Sequence, residues 1–128
     1  MDAVKFISDC LAEVHFRLMA TSDNLTNDEL LWRPAPTANN IGFIVWPLAR
    51  NEDARITNAG KLGEAIWATD LWYEGFGQPI AAPDPDRPDF TVAGSLRHLV
   101  THKNNHHGQI DYLRGLQDEA WDLPGAPE

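Results

Sequence analysis

The segment Leu96–Leu116, LRHLVTHKNNHHGQIDYLRGL, decides how the chain is read. Leu96, Leu99, Ile110 and Leu113 recur at helical spacing, which predicts an amphipathic helix of about five to six turns. His98, His102 and His106 stand four apart on it, so their imidazoles form a ladder along one flank of the apolar stripe. By helical-wheel angle His106 falls inside the stripe, His102 on its edge and His98 further round toward solvent, while His107 points elsewhere. Two neutral imidazoles one turn apart can hold one divalent ion, which makes His102 and His106 candidate ligands. The alternative is that both are buried or interfacial histidines hydrogen-bonded to polar neighbours, Gln109 among them.

Outward from this segment, the rest of the chain also reads as helix. Ala3, Ile7, Cys10, Leu11, Val14 and Leu18 follow the 3.6-residue period and predict a first helix from Asp2 to about Ala20, with His15 at the boundary of its apolar face. Thr26 and Glu29 form a capping-box signature for a short turn through Leu31. Trp32-Arg33-Pro34-Ala35-Pro36 forces extended chain. Asn40 is the expected N-cap of a second long helix running to about Asn58, with Gly60 just past its end. Pro47 inside that helix deletes a backbone hydrogen bond and collides with the preceding turn, at a cost of roughly 3 kcal/mol unless the chain bends. The expectation is a helix bent at Pro47; the alternative is a helix opened by Pro47. Residues 63–73 are compatible with a short helix stopped by Gly75, Gly77 and Pro79. A proline-rich loop follows over 78–90. Ser95 is then the expected cap of the histidine helix, with Thr91 the alternative, and the tail 122–128 reads as loosely ordered.

Composition bounds the function. The 128 residues amount to one domain, 1–128; 43% hydrophobic and 23% charged residues are globular values. A net charge of −9 and a pI near 4.8 leave no basic footprint for nucleic acid or an anionic membrane. Cys10 is the single cysteine, on an apolar helix face, and it reads as a small core residue in a cytoplasmic protein. No signal peptide or membrane span is expected.

Two stretches carry a family resemblance. Trp32-Arg33-Pro34 followed by Asn40-Ile41-Gly42-Phe43-Ile44-Val45-Trp46-Pro47-Leu48-Ala49-Arg50-Asn51-Glu52-Asp53 resembles the helix-2 signature of DinB-like proteins. That superfamily includes mycothiol-dependent maleylpyruvate isomerase-like and bacillithiol transferase-like helical bundles. His98-x3-His102-x3-His106-x-Gly108-Gln109-Ile110 with Leu113-Arg114-Gly115-Leu116 resembles its last helix. Trp67-Ala68-Thr69-Asp70 through Gly75-Phe76-Gly77 is similar to the loop after helix 2 in one subgroup.

The resemblance implies an all-α, up-and-down four-helix bundle, often dimeric, with a divalent metal such as zinc or nickel held by three histidines. His102 and His106 fall on two of the ligand positions; the third, on helix 2, is occupied here by Pro47. Another donor is then needed to hold an ion against water. His15, Glu13, Asn51 or a residue of a second subunit are the candidates. His98 is the obvious neighbour, although residues eight apart on a helix lie about 12 Å apart along its axis. The third helix of the family is shortened here to the 63–73 region, and a homodimer completing the bundle would cover the flank left open. Trp46, Trp67, Trp72 and Phe76 are expected near such an interface, or in the core. The function these expectations favour is a bundle with a degenerate metal site that binds a small molecule or a protein partner in its cavity. The alternatives are a metal-dependent thiol S-transferase or isomerase with His102 and His106 as ligands, and a purely structural dimer.

Overall fold

The computed structural model describes residues 2–75, 91–123 and 125. Among them every regular element is helical: α1 (Ala3–Ser22), α2 (Asn27–Leu31), α3 (Ile41–Gly60), α4 (Ile66–Thr69), α5 (Trp72–Gly75) and α6 (Val92–Gln117). The all-α expectation therefore holds. The proline-rich stretch 78–90 and Phe76 and Gly77 lie outside the described residues, as does most of the 122–128 tail. No helix among the described residues is long and apolar enough to cross a membrane.

Side-chain caps set the starts of the long elements. The Asp2 carboxylate accepts from the backbone N–H of Lys5 at 2.8 Å, satisfying one of the donors that the first turn of α1 leaves open. Thr26 and Glu29 form the anticipated capping box: Glu29 N–H donates to Thr26 Oγ1 at 3.3 Å, and Glu29 Oε2 accepts from Thr26 N–H at 2.7 Å. Bonds from the Thr26 backbone and hydroxyl hold the Glu29 carboxyl below its ordinary range, with a further contribution from Arg114. Asn40 Oδ1 accepts from Phe43 N–H at 2.7 Å and caps α3 as expected. The last helix begins earlier than its expected cap. Thr91 Oγ1 takes Gly94 N–H at 3.0 Å, while Ser95 lies inside α6 and is buried. Thr91 wins because its hydroxyl meets the first open N–H groups, and Val92 and Ala93 continue the helix backwards from Ser95.

α3 runs unbroken through Pro47, so the proline does not open it. The carbonyl that loses its donor belongs to Phe43, a residue 56% exposed, where water can replace the missing N–H. At its far end Leu62 N–H donates to Thr57 C=O at 3.1 Å and Lys61 N–H to Asn58 C=O at 3.4 Å, the bonding of a Schellman motif. Gly60 is the last helical residue instead of the first beyond the helix, and Lys61 takes the left-handed conformation at φ 53°. The short helix anticipated over 63–73 is two single turns, α4 and α5, with Leu71 left-handed between them at φ 56°.

The chain divides into two compact units: residues 1–48 with 99–128, and residues 49–98. α3 leaves the first unit after Leu48, one residue beyond Pro47, and α6 re-enters it at Leu99. The first unit holds an aliphatic cluster of Leu18, Ile41, Ile44, Leu48, Ile110 and Leu113, with Leu25, Leu30 and Val45 packed against it. Cys10, a free thiol, is half-buried on α1. Three polar contacts tie the first unit's elements together. Arg114 donates to the carbonyls of Thr21 at 3.3 Å and Asp23 at 2.7 Å, closing the end of α1, and Gln117 Nε2 donates to Glu29 C=O at 3.4 Å.

In the second unit Asp53 reaches fourteen residues along the chain to cap α4. Its two carboxylate oxygens accept from Ile66 N–H at 3.0 Å and Trp67 N–H at 2.8 Å. Trp67 is 5% exposed, with the Arg50 guanidinium 3.8 Å from its ring centre, so it packs as a core residue. Trp72 is 52% exposed.

Candidate functional site

His102 and His106 meet. Their Nε2 atoms are 2.9 Å apart and the rings stand edge to face, centroids 4.5 Å apart at 75°. One turn of α6 brings the side chains to the same flank, and both are half-buried. On the far side of the second ring, His106 Nδ1 lies 2.7 Å from Gln109 Oε1. An amide oxygen only accepts, so Nδ1 of His106 carries the proton. In the neutral ring Nε2 is then a lone pair that accepts the Nε2–H of His102, so an ion can join both nitrogens only as the His102 proton leaves or moves to the other ring nitrogen. This is the arrangement by which a neighbour fixes the tautomer of a metal-binding imidazole.

The other sequence candidates go elsewhere. His98 Nε2 is 3.0 Å from Asn51 Oδ1, an oxygen that also accepts from Arg55 Nε at 3.0 Å. By the same reasoning His98 Nε2 is a donor, and its proton occupies the position a metal would need. Asn51 Oδ1, a candidate third ligand, is thereby held between two donors. His15 is exposed on α1, and the Glu13 carboxylate is bound to Arg17 Nε at 2.5 Å. Among the described residues, no three of the histidine, cysteine, aspartate and glutamate side chains converge closely enough to hold an ion. Pro47 is exposed.

The wheel assignment of the histidines needs correcting. The buried face of α6 runs through Ser95, Leu99, Lys103, His107, Ile110 and Leu113, so His107, placed off the stripe by the sequence, is 9% exposed and inside it. Lys103 is 2% exposed, and His107 Nδ1 has no hydrogen-bond partner among the described residues. His98, His102 and His106 share an adjoining half-buried flank. Hydropathy was a poor guide because residues 101–109, THKNNHHGQ, contain no aliphatic or aromatic apolar side chain to set the phase of the middle turns. The signal that was present is the spacing 95-99-103-107-110-113, which keeps one face in register over five turns whatever the residue type.

Compared with family models, with curated proteins and with solved structures, the chain matches none.

Proposed function

We propose that this chain is a DinB-like helical bundle in which His102 and His106 are the protein's share of a divalent-metal site, the remaining donors coming from a small molecule bound beside them. The observation that carries the reading is the pair of Nε2 atoms 2.9 Å apart, with His106 held in the required tautomer by Gln109. Two imidazole nitrogens on one tetrahedral ion stand about 3.3 Å apart, given bonds of about 2.0–2.1 Å, so the pair needs to open by a few tenths of an ångström and to give up the proton shared between them. Two imidazoles alone hold an ion weakly. Pro47 supplies no side-chain donor, His98, Asn51 and Glu13 are engaged in protein contacts, and His15 is exposed on α1. A ligand bearing a thiolate or carboxylate would complete the coordination, and a divalent ion there supplies charge that keeps a bound thiol or water deprotonated near neutral pH. A second copy of the chain is the other source of donors, consistent with a bundle that dimerises.

The test is metal titration of protein purified without a histidine tag, followed by calorimetry with zinc or nickel, alone and with a small thiol present. The expected result is weak binding by the metal alone, tighter binding with the thiol, and loss of both in His102→Ala and in His106→Ala. Gln109→Leu should weaken binding about tenfold with the fold unchanged, because it frees the His106 ring to adopt the other tautomer. Near-stoichiometric metal in the protein as purified would replace this reading with that of a complete metalloenzyme site. No binding by folded wild-type protein, with or without thiol, would overturn both.

A further inference from the structure

At the C-terminal end of α6 the first unit carries a cleft of about 410 Å³ that belongs to neither histidine group. Asp111, Tyr112 and Leu116 line it from the helix, and Trp121, Asp122 and Leu123 from the segment that folds back after the helix ends. The fold-back is built. Trp121 Nε1–H donates to Asp111 Oδ1 at 2.6 Å, and the Arg114 guanidinium covers the indole 4.0 Å from its centre. Trp121 is thus fixed as a wall of the cleft, half-buried, and Tyr112 stands across from solvent at 67% exposure. Gly115 also lines the cleft, with open space where a Cβ would stand.

The charged residues that line the cleft are both acidic. Asp111 keeps its second oxygen, Asp122 adds a carboxylate, and α6 ends at Gln117 with the negative pole of its peptide dipoles at this end. The neighbouring cation, Arg114, does not line the cleft; it lies on the Trp121 indole and donates to the carbonyls of Thr21 and Asp23. Tyr112 and the part of Trp121 that Arg114 does not cover offer aromatic surface, which attracts a cation, and Leu116 and Leu123 offer apolar contact for the carbon groups attached to it. An anion would meet two carboxylates and a helix C-terminus. A neutral apolar ligand would desolvate those carboxylates with nothing in return.

We infer that this cleft binds a small organic ammonium ion, its charge held between the Asp111 and Asp122 carboxylates and its carbon skeleton against Trp121 and Tyr112. The site is independent of the histidine pair and of any metal.

Three probes test it by NMR titration of the full chain, observing the Trp121 indole N–H: choline, butylamine, and 3,3-dimethylbutan-1-ol, which has the shape of choline without its charge. Both cations should shift the indole resonance saturably, and the neutral probe should bind at least about fivefold more weakly. Tighter binding of choline points to alkylated headgroups as the source, and tighter binding of butylamine to lysine-like amines or diamines; either supports the site. Asp122→Asn should weaken cation binding about three- to fivefold, whereas Glu119→Gln, the same charge change three residues away but outside the cleft, should leave it within experimental error. The inference is overturned if the neutral probe binds as well as choline, if the two variants weaken binding equally, or if no probe saturates by about 10 mM.

Discussion

The two units are held by different forces. In residues 1–48 and 99–128 eight buried aliphatic side chains among the described residues outnumber the buried polar Thr21, Asn40, Lys103 and His107, and the elements begin on side-chain caps at Asp2, Thr26 and Asn40. In residues 49–98 the only buried apolar side chain among the described residues is Trp67, while Arg55, Thr57 and Ser95 are buried polar ones. Apolar burial is non-directional and grows with area, at roughly 25 cal/mol per Å². A hydrogen bond is directional and contributes about 1 kcal/mol net. The first unit therefore rests on many interchangeable contacts. The second depends on a few particular ones, notably the two bonds of Asp53 and the two donors on Asn51.

The largest effect expected from this contrast is in the first unit. Ile110 is fully buried at the centre of the aliphatic cluster, and Ile110→Ala removes most of its side chain from close packing. Urea unfolding followed by circular dichroism should show a loss of about 3–4 kcal/mol. A loss below about 1 kcal/mol would mean that the cluster is not close-packed, and the distinction between the units would fail on its stronger side.

A smaller and more local effect is expected from Asp53→Ala. The position before α4 is Ala65, whose side chain makes no capping bond, so Asp53 does the work of an N-cap from a distance. Its removal should cost about 1 kcal/mol. Hydrogen exchange should quicken at Ile66 and Trp67 and through the turns that follow, leaving α1 and the second half of α6 as slow as in the wild type. Equal acceleration in both units would show that the second is not an independently opening region.

The same contrast explains what could be read in advance. The helices of the first unit were legible because their apolar period and their caps are local: Thr26 with Glu29, and Asn40 with Phe43, lie three residues apart. The His102–His106 meeting was legible for the same reason, being one turn of one helix. The Asp53 cap was not, because it joins positions thirteen and fourteen residues apart and no spacing rule marks it. Nor was the burial of Lys103 and His107, where residue type argued for solvent and only helical phase argued for the core. The Pro-Gly-Ala-Pro ending predicts a loose tail over 122–128, yet Trp121 just before it is pinned by Asp111 and Arg114. That large aromatic side chain was the signal available.

The smallest effect expected is a gain, and it separates the units by their backbones. Each has a left-handed residue at a helix end: Asn24 after α1 at φ 54°, and Lys61 after α3 at φ 53°. Asparagine tolerates this conformation, and Asn24 anchors itself with two bonds to the Asp23 carboxylate, each 2.9 Å. Lysine has no such compensation in its backbone geometry, and its Cβ crowds the following carbonyl at a cost of about 1 kcal/mol. Lys61→Gly relieves that crowding and completes the Schellman motif with its preferred residue, but adds freedom to the unfolded chain. The balance should be a stabilisation of about 0.5 kcal/mol, read as a rise in the urea midpoint. Asn24→Gly should give no gain, because it trades little strain for the loss of the Asn24 Nδ2–H bond to Asp23 while keeping the backbone N–H bond. If both substitutions stabilise equally, backbone strain does not distinguish the two regions, and the lower stability expected of residues 49–98 must come from their polar interior alone.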